Sequence, residues 1–260
     1  MSVARPNWLK PILLPLSALS WTLGFVWMAL LVVISVLLLP FFPFKTTHMW
    51  VARPLMRMVL TTTFSRFKWI YHPDFDPDRI GLFMGNHVTA VDAHVMTRAI
   101  PGPFCGVVGA HHLKIPVYGS ILRLSKSIPI YPQSSGRTLE IVASVRERME
   151  ERIHIAAYPE GHRTRDGHVA KFKRGMFFIA RDAQIPVYPI AMRGMSRMLP
   201  RGATLFFPSM VEIYVGKPWD FSGVSDEDMD RKIAEFRQTI IHFVEDGTQE
   251  AGARAPAATV

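Results

Sequence analysis

Cysteine is nearly absent: Cys105 is the only one among 260 residues. A single thiol excludes an internal disulfide and any four-cysteine zinc site. Set in the apolar stretch FCGVVG, it reads as a small core residue. Acidic residues are in the minority, 21 against 30 Lys plus Arg, for a formal net charge of +9 and a pI near 9.9. That balance suits nucleic acid, an anionic membrane surface or a phosphorylated substrate. Nucleic acid is disfavoured, because no helix-turn-helix, ribonucleoprotein or zinc-finger pattern is present. Internal repeats and heptads are missing as well. Charge itself is missing from one long segment: no Asp, Glu, Lys or Arg occurs from Pro11 to Phe44. That segment lifts the mean hydropathy to +0.15, unusual for a purely soluble domain.

The core of that run is Leu16 to Leu39. As a helix it measures about 36 Å, enough to cross a hydrocarbon core with some tilt. Pro15 and Pro40 punctuate its ends, and Trp8, Trp21 and Trp50 suit the interfaces. It is too long for a signal peptide and ends in no small-x-small site. A helical hairpin dipping into one leaflet stays open beside a full span, because Gly24 and the prolines allow a break. Arg5 and Lys10 precede the run, whereas Lys45, Arg53, Arg57, Arg66 and Lys68 follow it. The excess of cations places the remaining bulk on the cytoplasmic side of the membrane. The expected division is a membrane-anchoring segment over 1–48, a domain over 49–248 and a disordered tail over 249–260. Met49 to Phe67 is expected as a helix, lying on anionic lipid or packed in the ordinary way.

From Ile80 strands and helices alternate. IGLFMG (centred on 81–85), FCGVVG (104–109), SIPIY (127–131), IHIAAY (153–158) and IPVYPI (185–190) are apolar runs bounded by turn residues, and read as buried strands. Thr89–Arg98, Leu113–Leu124, Thr138–Arg152 and Arg174–Ala183 read as helices, the third with a stripe at Leu139, Val142, Val145 and Met149. Thr204 to Val215 suggests one or two more strands. A last helix runs from Asp226 to Glu245, with Ser225 and Asp228 as a capping box and Gly247 as its stop. The pattern predicts an α/β layered fold: a central, mostly parallel or mixed sheet flanked by helices, plus the N-terminal membrane-embedded helix or hairpin.

Two clusters follow strand ends, where such folds place function. The first is Asn86-His87-Val88-Thr89-Ala90-Val91-Asp92. The spacing lets Asp92 reach back to one ring nitrogen of His87, fixing its tautomer and leaving the other nitrogen as a base. Such a pair deprotonates a hydroxyl as it attacks a carbonyl, with no serine or cysteine nucleophile needed. The second cluster, Tyr158 to Gly167, holds Glu160 as an acceptor, Gly161 in a tight loop and Arg163 as a planar fork for phosphate or carboxylate. Shortly after come Lys171, Lys173 and Arg174 at a helix start, a plausible anion site or simply a solvated face. His87, Asp92, His94 and His111 can be drawn as a metal set, but the spacing is not the His-x3-His of helical zinc motifs.

These blocks, His-x4-Asp, then P-E-G-x-R, then F-K-x-G, then a strand like V-P-I-x-P, occur in an order that resembles the glycerolipid acyltransferases. The likeness covers roughly Ile80 to Ile190 and is to the 1-acylglycerol-3-phosphate (lysophosphatidate) acyltransferase type. It implies a membrane-bound enzyme moving a fatty acyl group from acyl-CoA or acyl carrier protein to the free hydroxyl of a lysophospholipid, without a covalent intermediate. His87 and Asp92 would be catalytic. Asn86, Glu160, Gly161, Arg163, Lys173 and Arg174 would bind substrate. No metal, cofactor or nucleic-acid partner is implied. The chain departs from the family in three places. His162 replaces a Thr in P-E-G-T-R, Pro132 stands where an Arg follows the 127–131 strand, and no Lys precedes Leu113-Lys114-Ile115-Pro116. Two cations expected to face a phosphate are thus missing, so a zwitterionic or amino lysolipid is the alternative acceptor. A membrane-anchored lipid-binding protein without catalysis is the alternative class.

Overall fold

The computed structural model describes residues 7–115, 118–131 and 136–247. The elements run in chain order as α1 (Lys10–Leu38), α2 (Phe44–Thr47), α3 (Arg53–Thr61), β1 (Arg66–Tyr71), β2 (Leu82–Gly85), α4 (Asp92–Ala99), β3 (Phe104–Gly109), α5 (Tyr118–Leu124), β4 (Ile128–Ile130) and α6 (Thr138–Glu150). Then follow β5 (His154–Ala157), α7 (Gly175–Ala183), β6 (Val187–Arg193), α8 (Met195–Met198), β7 (Met210–Val215) and α9 (Asp226–Ile241). The strands form one seven-stranded sheet in the order β1-β7-β6-β2-β5-β3-β4. Every neighbouring pair is parallel except β6 and β7. The α/β layered class expected from the pattern is the class observed.

Alternation along the central strands builds two cores. Leu82 and Met84 face one side and Phe83 the other; Val187 and Ala191 oppose Tyr188, Ile190 and Met192. The first face is covered by α6, α7 and α9, the second by α3, α4 and α8 with part of α1. A strand buried on both faces reads as an unbroken apolar run, which is why β2, β5 and β6 are plain in the sequence. Cys105 is buried on β3, and burial pushes its thiol up to about 12, as befits a core residue.

Several boundaries differ from the sequence reading. The helix expected over Met49–Phe67 ends at Thr61, and Arg66–Tyr71 is an unanticipated strand paired in register with Met210–Val215. Helix α4 starts at Asp92 rather than Thr89, because Val88 and Thr89 turn their amides onto the Asp92 carboxylate. The expected helix over Leu113–Leu124 is split into a 3-10 turn at Ala110–Lys114 and α5. On α6 the inward residues are Ile141, Val142 and Val145, whereas Leu139 is 81% exposed. Only Met210–Val215 of the 204–215 segment is strand. Helix α9 begins as expected, with Ser225 Oγ accepting from the Asp228 amide, and Gly247 adopts a left-handed φ of 73° after its last turn. Pro132 and the tail over 249–260 lie outside the described residues.

Helix α1 is longer than its uncharged core and runs unbroken through Gly24, so the hairpin considered for this segment does not form. Pro11 falls in its first turn, where a missing N–H costs nothing, and Pro15 is absorbed inside it. At 29 residues it measures about 43 Å, and it is the one helix among the described residues long and apolar enough to cross a membrane. Yet one side is docked on the domain. Leu13, Ser17, Ser20 and Leu31 are buried, Phe206 donates its amide to Ser17 Oγ at 2.8 Å, and Trp21 Nε1 donates to Thr204 O at 2.7 Å. The opposite side exposes Ile12, Val33 and Leu37.

Candidate active site

Strands β2 and β5 are parallel neighbours, so two loops remote in sequence leave the sheet side by side. The loop after β2 carries the histidine and that after β5 braces it. His87 Nδ1–H donates to Asp92 Oδ2 at 2.7 Å. The same carboxylate accepts from the amides of Val88 at 2.6 Å and Thr89 at 2.9 Å, and from Thr89 Oγ1 at 2.8 Å. Asp92 is 1% exposed, so this set of donors is what lets a carboxylate exist there. Because Asp92 can only accept, the Nδ1 proton is fixed and Nε2 is left with its lone pair. The His87 side chain is 26% exposed, open on one side to a reactant. Its ring stacks on Tyr158 at 4.1 Å between centroids and 12° between planes, which fixes its rotation.

Glu160 lies beneath this pair rather than facing a ligand. It is 1% exposed, with Oε1 accepting from the His87 amide at 2.7 Å and Oε2 from the Ala170 amide at 3.0 Å. Burial pushes its carboxyl up, opposed by those two amides. One side chain thus ties the two loops and the chain at Ala170 together, and Thr164 adds a second tie by donating its amide to His87 O at 2.7 Å. Asn86 is likewise buried. Its Nδ2 donates to Met192 O at 3.0 Å and its Oδ1 accepts from Met192 N at 2.8 Å, extending the β2–β6 pairing by one side chain. Both its polar ends are therefore committed to backbone, which makes it a positioning residue.

The expected cations separate into two groups. Gly161 has φ +74°, and a Cβ there would sit 2.5 Å from Lys173 Nζ, so the Lys173 side chain lies directly over the P-E-G turn. The Lys173 amide donates to Pro159 O at 2.8 Å. Arg163 is exposed, and its carbonyl is held by Arg201 Nη1 at 2.7 Å. Arg174, in contrast, pairs with Asp230 at 2.9 Å and faces α9. His94 does not turn to the dyad: it is 8% exposed, its Nε2 is 3.4 Å from Met28 Sδ, and burial holds it at about 4. His111 packs its ring against His112. Among the described residues no three His, Cys, Asp or Glu side chains converge as a metal site.

Beside the dyad, a cavity of about 150 Å³ opens between α1, α3 and the His87–Asp92 loop. Trp21, Gly24, Phe25 and Met28 form one wall, Val59 and Thr62 another, and Ala90, Val91 and His94 close the side toward α4. Sequence reasoning missed this cavity and the Tyr158 stack, because both depend on tertiary neighbours. The lone signal was a tyrosine at the exit of β5.

An α/β sheet with this dyad at a strand exit and a braced P-E-G-x-R loop beside it defines a class. Residues 73–193 match the model of the family described as Acyltransferase. More particularly, it is similar to proteins named for one acceptor. It is 26% identical over 202 residues to human 1-acyl-sn-glycerol-3-phosphate acyltransferase beta, spanning 73% of this chain and 72% of that one. It is 24% identical over 156 residues to the human alpha protein, spanning 60% of this chain and 55% of that one. The fold is shared with the crystal structure of the 1-acyl-sn-glycerophosphate (LPA) acyltransferase PlsC from Thermotoga maritima. The TM-score is 0.72 at 18% identity, covering 89% of this chain and 95% of that one.

Proposed function

We propose that the protein transfers a fatty acyl group from a thioester, acyl-CoA or acyl carrier protein, to the free hydroxyl of 1-acylglycerol-3-phosphate. The observation that carries this reading is the His87–Asp92 pair, with Nδ1–H pinned at 2.7 Å and Nε2 left as a base. The acceptor hydroxyl gives its proton to Nε2 as its oxygen attacks the thioester carbonyl, and Asp92 stabilises the imidazolium that forms. Collapse of the tetrahedral adduct breaks the C–S bond. The departing thiolate takes the proton back from Nε2, so the enzyme ends unchanged and no covalent intermediate arises. A thiolate leaves readily, which is why one base and a few cations suffice. Lys173 and Arg163, on the loop beside the histidine, supply charge for the acceptor phosphate.

The cavity supports the same reading. An apolar chain laid against Trp21, Phe25 and Met28 has its reactive end beside Ala90 and Val91, in the loop that carries His87. Water excluded there cannot hydrolyse the thioester. The docking of α1 favours a helix lying in one leaflet over a full span. A helix held to the domain from Leu13 to Leu31 cannot cross a bilayer without carrying the domain into it. Its outer face instead enters one leaflet, and the anionic cytoplasmic leaflet suits the cations that follow it.

The departures from the family pattern favour a second acceptor class, a zwitterionic or amino lysolipid. Initial rates across a panel of lysolipids, with a common acyl-CoA, decide between them. Lysophosphatidate should give the highest kcat/KM, and Arg163→Ala should raise its KM more than that of the donor. A faster zwitterionic acceptor, or a donor-only effect of Arg163→Ala, would overturn the assignment.

A further inference from the structure

Three arginines gather where, among the described residues, no carboxylate answers them. Arg53 and Arg57 stand one turn apart on α3, and Arg98 lies in the last turn of α4, which packs against α3. Arg53 is 8% exposed and donates to the carbonyls of Pro101 at 2.7 Å and Gly102 at 3.2 Å. Those bonds orient its guanidinium without neutralising it. Arg98 lies over the Trp69 ring at 5.2 Å. Tyr71 Oη reaches the same helix end, donating to Ala99 O at 3.3 Å. Arg57 Nε is buried without a hydrogen-bond partner. Among the described residues no acid forms an ion pair with any of the three. Burial, with Arg57 and Arg98 beside it, pushes Arg53 down to about 10. Like charges held this close in a half-buried setting are costly unless an anion joins them.

The position limits what that anion is. Pro101 and Gly102 precede β3 at the amino end of the parallel strands, whereas His87 follows β2 at the carboxyl end. The cluster is thus separate from the dyad. On α3 and the turn before it, Trp50, Pro54 and Met58 recur at every fourth position and are all exposed, Trp50 by 79%. This apolar ridge runs beside Arg53 and Arg57, on a helix that packs against α1. Arginines flanking an exposed apolar ridge sit at headgroup depth when the ridge enters lipid.

We propose that Arg53, Arg57 and Arg98, with Trp69, form a binding site for the phosphate of an anionic membrane lipid, distinct from the catalytic site. Planar forks from two helices suit a phosphodiester, and the ridge takes up the attached chains.

The test uses the full chain in a neutral detergent and follows thermal unfolding. Phosphatidylglycerol and phosphatidylcholine are titrated in separate mixed micelles, and inorganic phosphate in a third series. Wild type should reach half its stabilisation at a tenfold or more lower concentration of phosphatidylglycerol than of phosphatidylcholine. The Arg57→Gln/Arg98→Gln variant should bring the two within twofold. Its acyl-transfer rate in phosphatidylcholine micelles should stay within twofold of wild type, which certifies its fold. If that variant fails to fold, Arg57→Gln alone should cut the preference at least threefold. Equal response to both lipids in wild type, or an undiminished preference in the variants, overturns the proposal. So does inorganic phosphate reproducing the whole shift, since the site would then bind free anion and not lipid.

Discussion

Replacing Asp92 by asparagine keeps the shape of the side chain and removes half of its accepting capacity. Wild-type Asp92 accepts from four donors: His87 Nδ1 and Val88 N on Oδ2, the Thr89 hydroxyl on Oδ1, and the Thr89 amide shared between both oxygens. If the new NH2 takes the Oδ2 place, His87 must present Nδ1 as an acceptor. Its proton then moves to Nε2, and the base is lost. Val88 N–H is left facing a donor, at about 1–3 kcal/mol. If the NH2 takes the Oδ1 place, the Thr89 amide keeps only its 3.0 Å bond to Oδ2, and the imidazolium loses its anionic partner. The wrong tautomer in a histidine–carboxylate pair lowers kcat by about 10⁴, or roughly 5.5 kcal/mol of barrier. Asp92→Asn should therefore lower kcat by about 10³–10⁴ and stability by a few kcal/mol at most. Thiol release from acyl-CoA, read with a thiol-reactive dye, measures the first; thermal unfolding measures the second. A folded Asp92→Asn variant within tenfold of wild-type kcat would refute the assignment of roles.

Asn86→Ala orphans Met192 N and O at once, so it should destabilise by about 2–4 kcal/mol, with a larger effect on unfolding temperature than on KM. Gly24→Leu places a branched side chain in the cavity wall, so competition between long-chain and short-chain acyl-CoA should shift toward the short; an unchanged preference would remove the cavity from the acyl path. Buried His48, His94 and His154 are each held at about 4, by burial first, from an ordinary 6.5. The unfolded chain thus binds more protons between these values, and stability present above pH 6.5 is lost as pH falls toward 4. The slope is about 1.4 kcal/mol per pH unit for each histidine. Unfolding midpoints from pH 7 to 4 should fall steeply, and His94→Leu should flatten the limb.

The strands that face core on both sides were legible, because a continuous apolar run bounded by Gly and Pro needs no partner to be recognised. Strand β1 was not. Its Arg66-Phe67-Lys68-Trp69-Ile70-Tyr71 alternates charge with aromatics, and its partner β7 lies far along the chain, beyond every other strand of the sheet. The His87–Asp92 contact was legible from spacing alone, since both residues belong to one turn. Glu160 was legible as an acceptor but not in its direction. Its inward turn depends on the Ala170 amide and on β2 lying beside β5, which only the folded sheet determines. Arg174 looked like part of the anion site by proximity in sequence, yet the acidic first turns of α9 draw it away. Local chemistry could be read from the chain, whereas the pairing of distant charges required the fold.

The central claim is that His87 removes the proton of a lysolipid hydroxyl. Mass spectrometry of products from acyl-CoA and lysophosphatidate, with wild type and His87→Ala side by side, tests it most directly. Wild type should form phosphatidate, and a folded His87→Ala variant should form it at least about three orders of magnitude more slowly. Phosphatidate formed by the variant at a rate near that of wild type would contradict it.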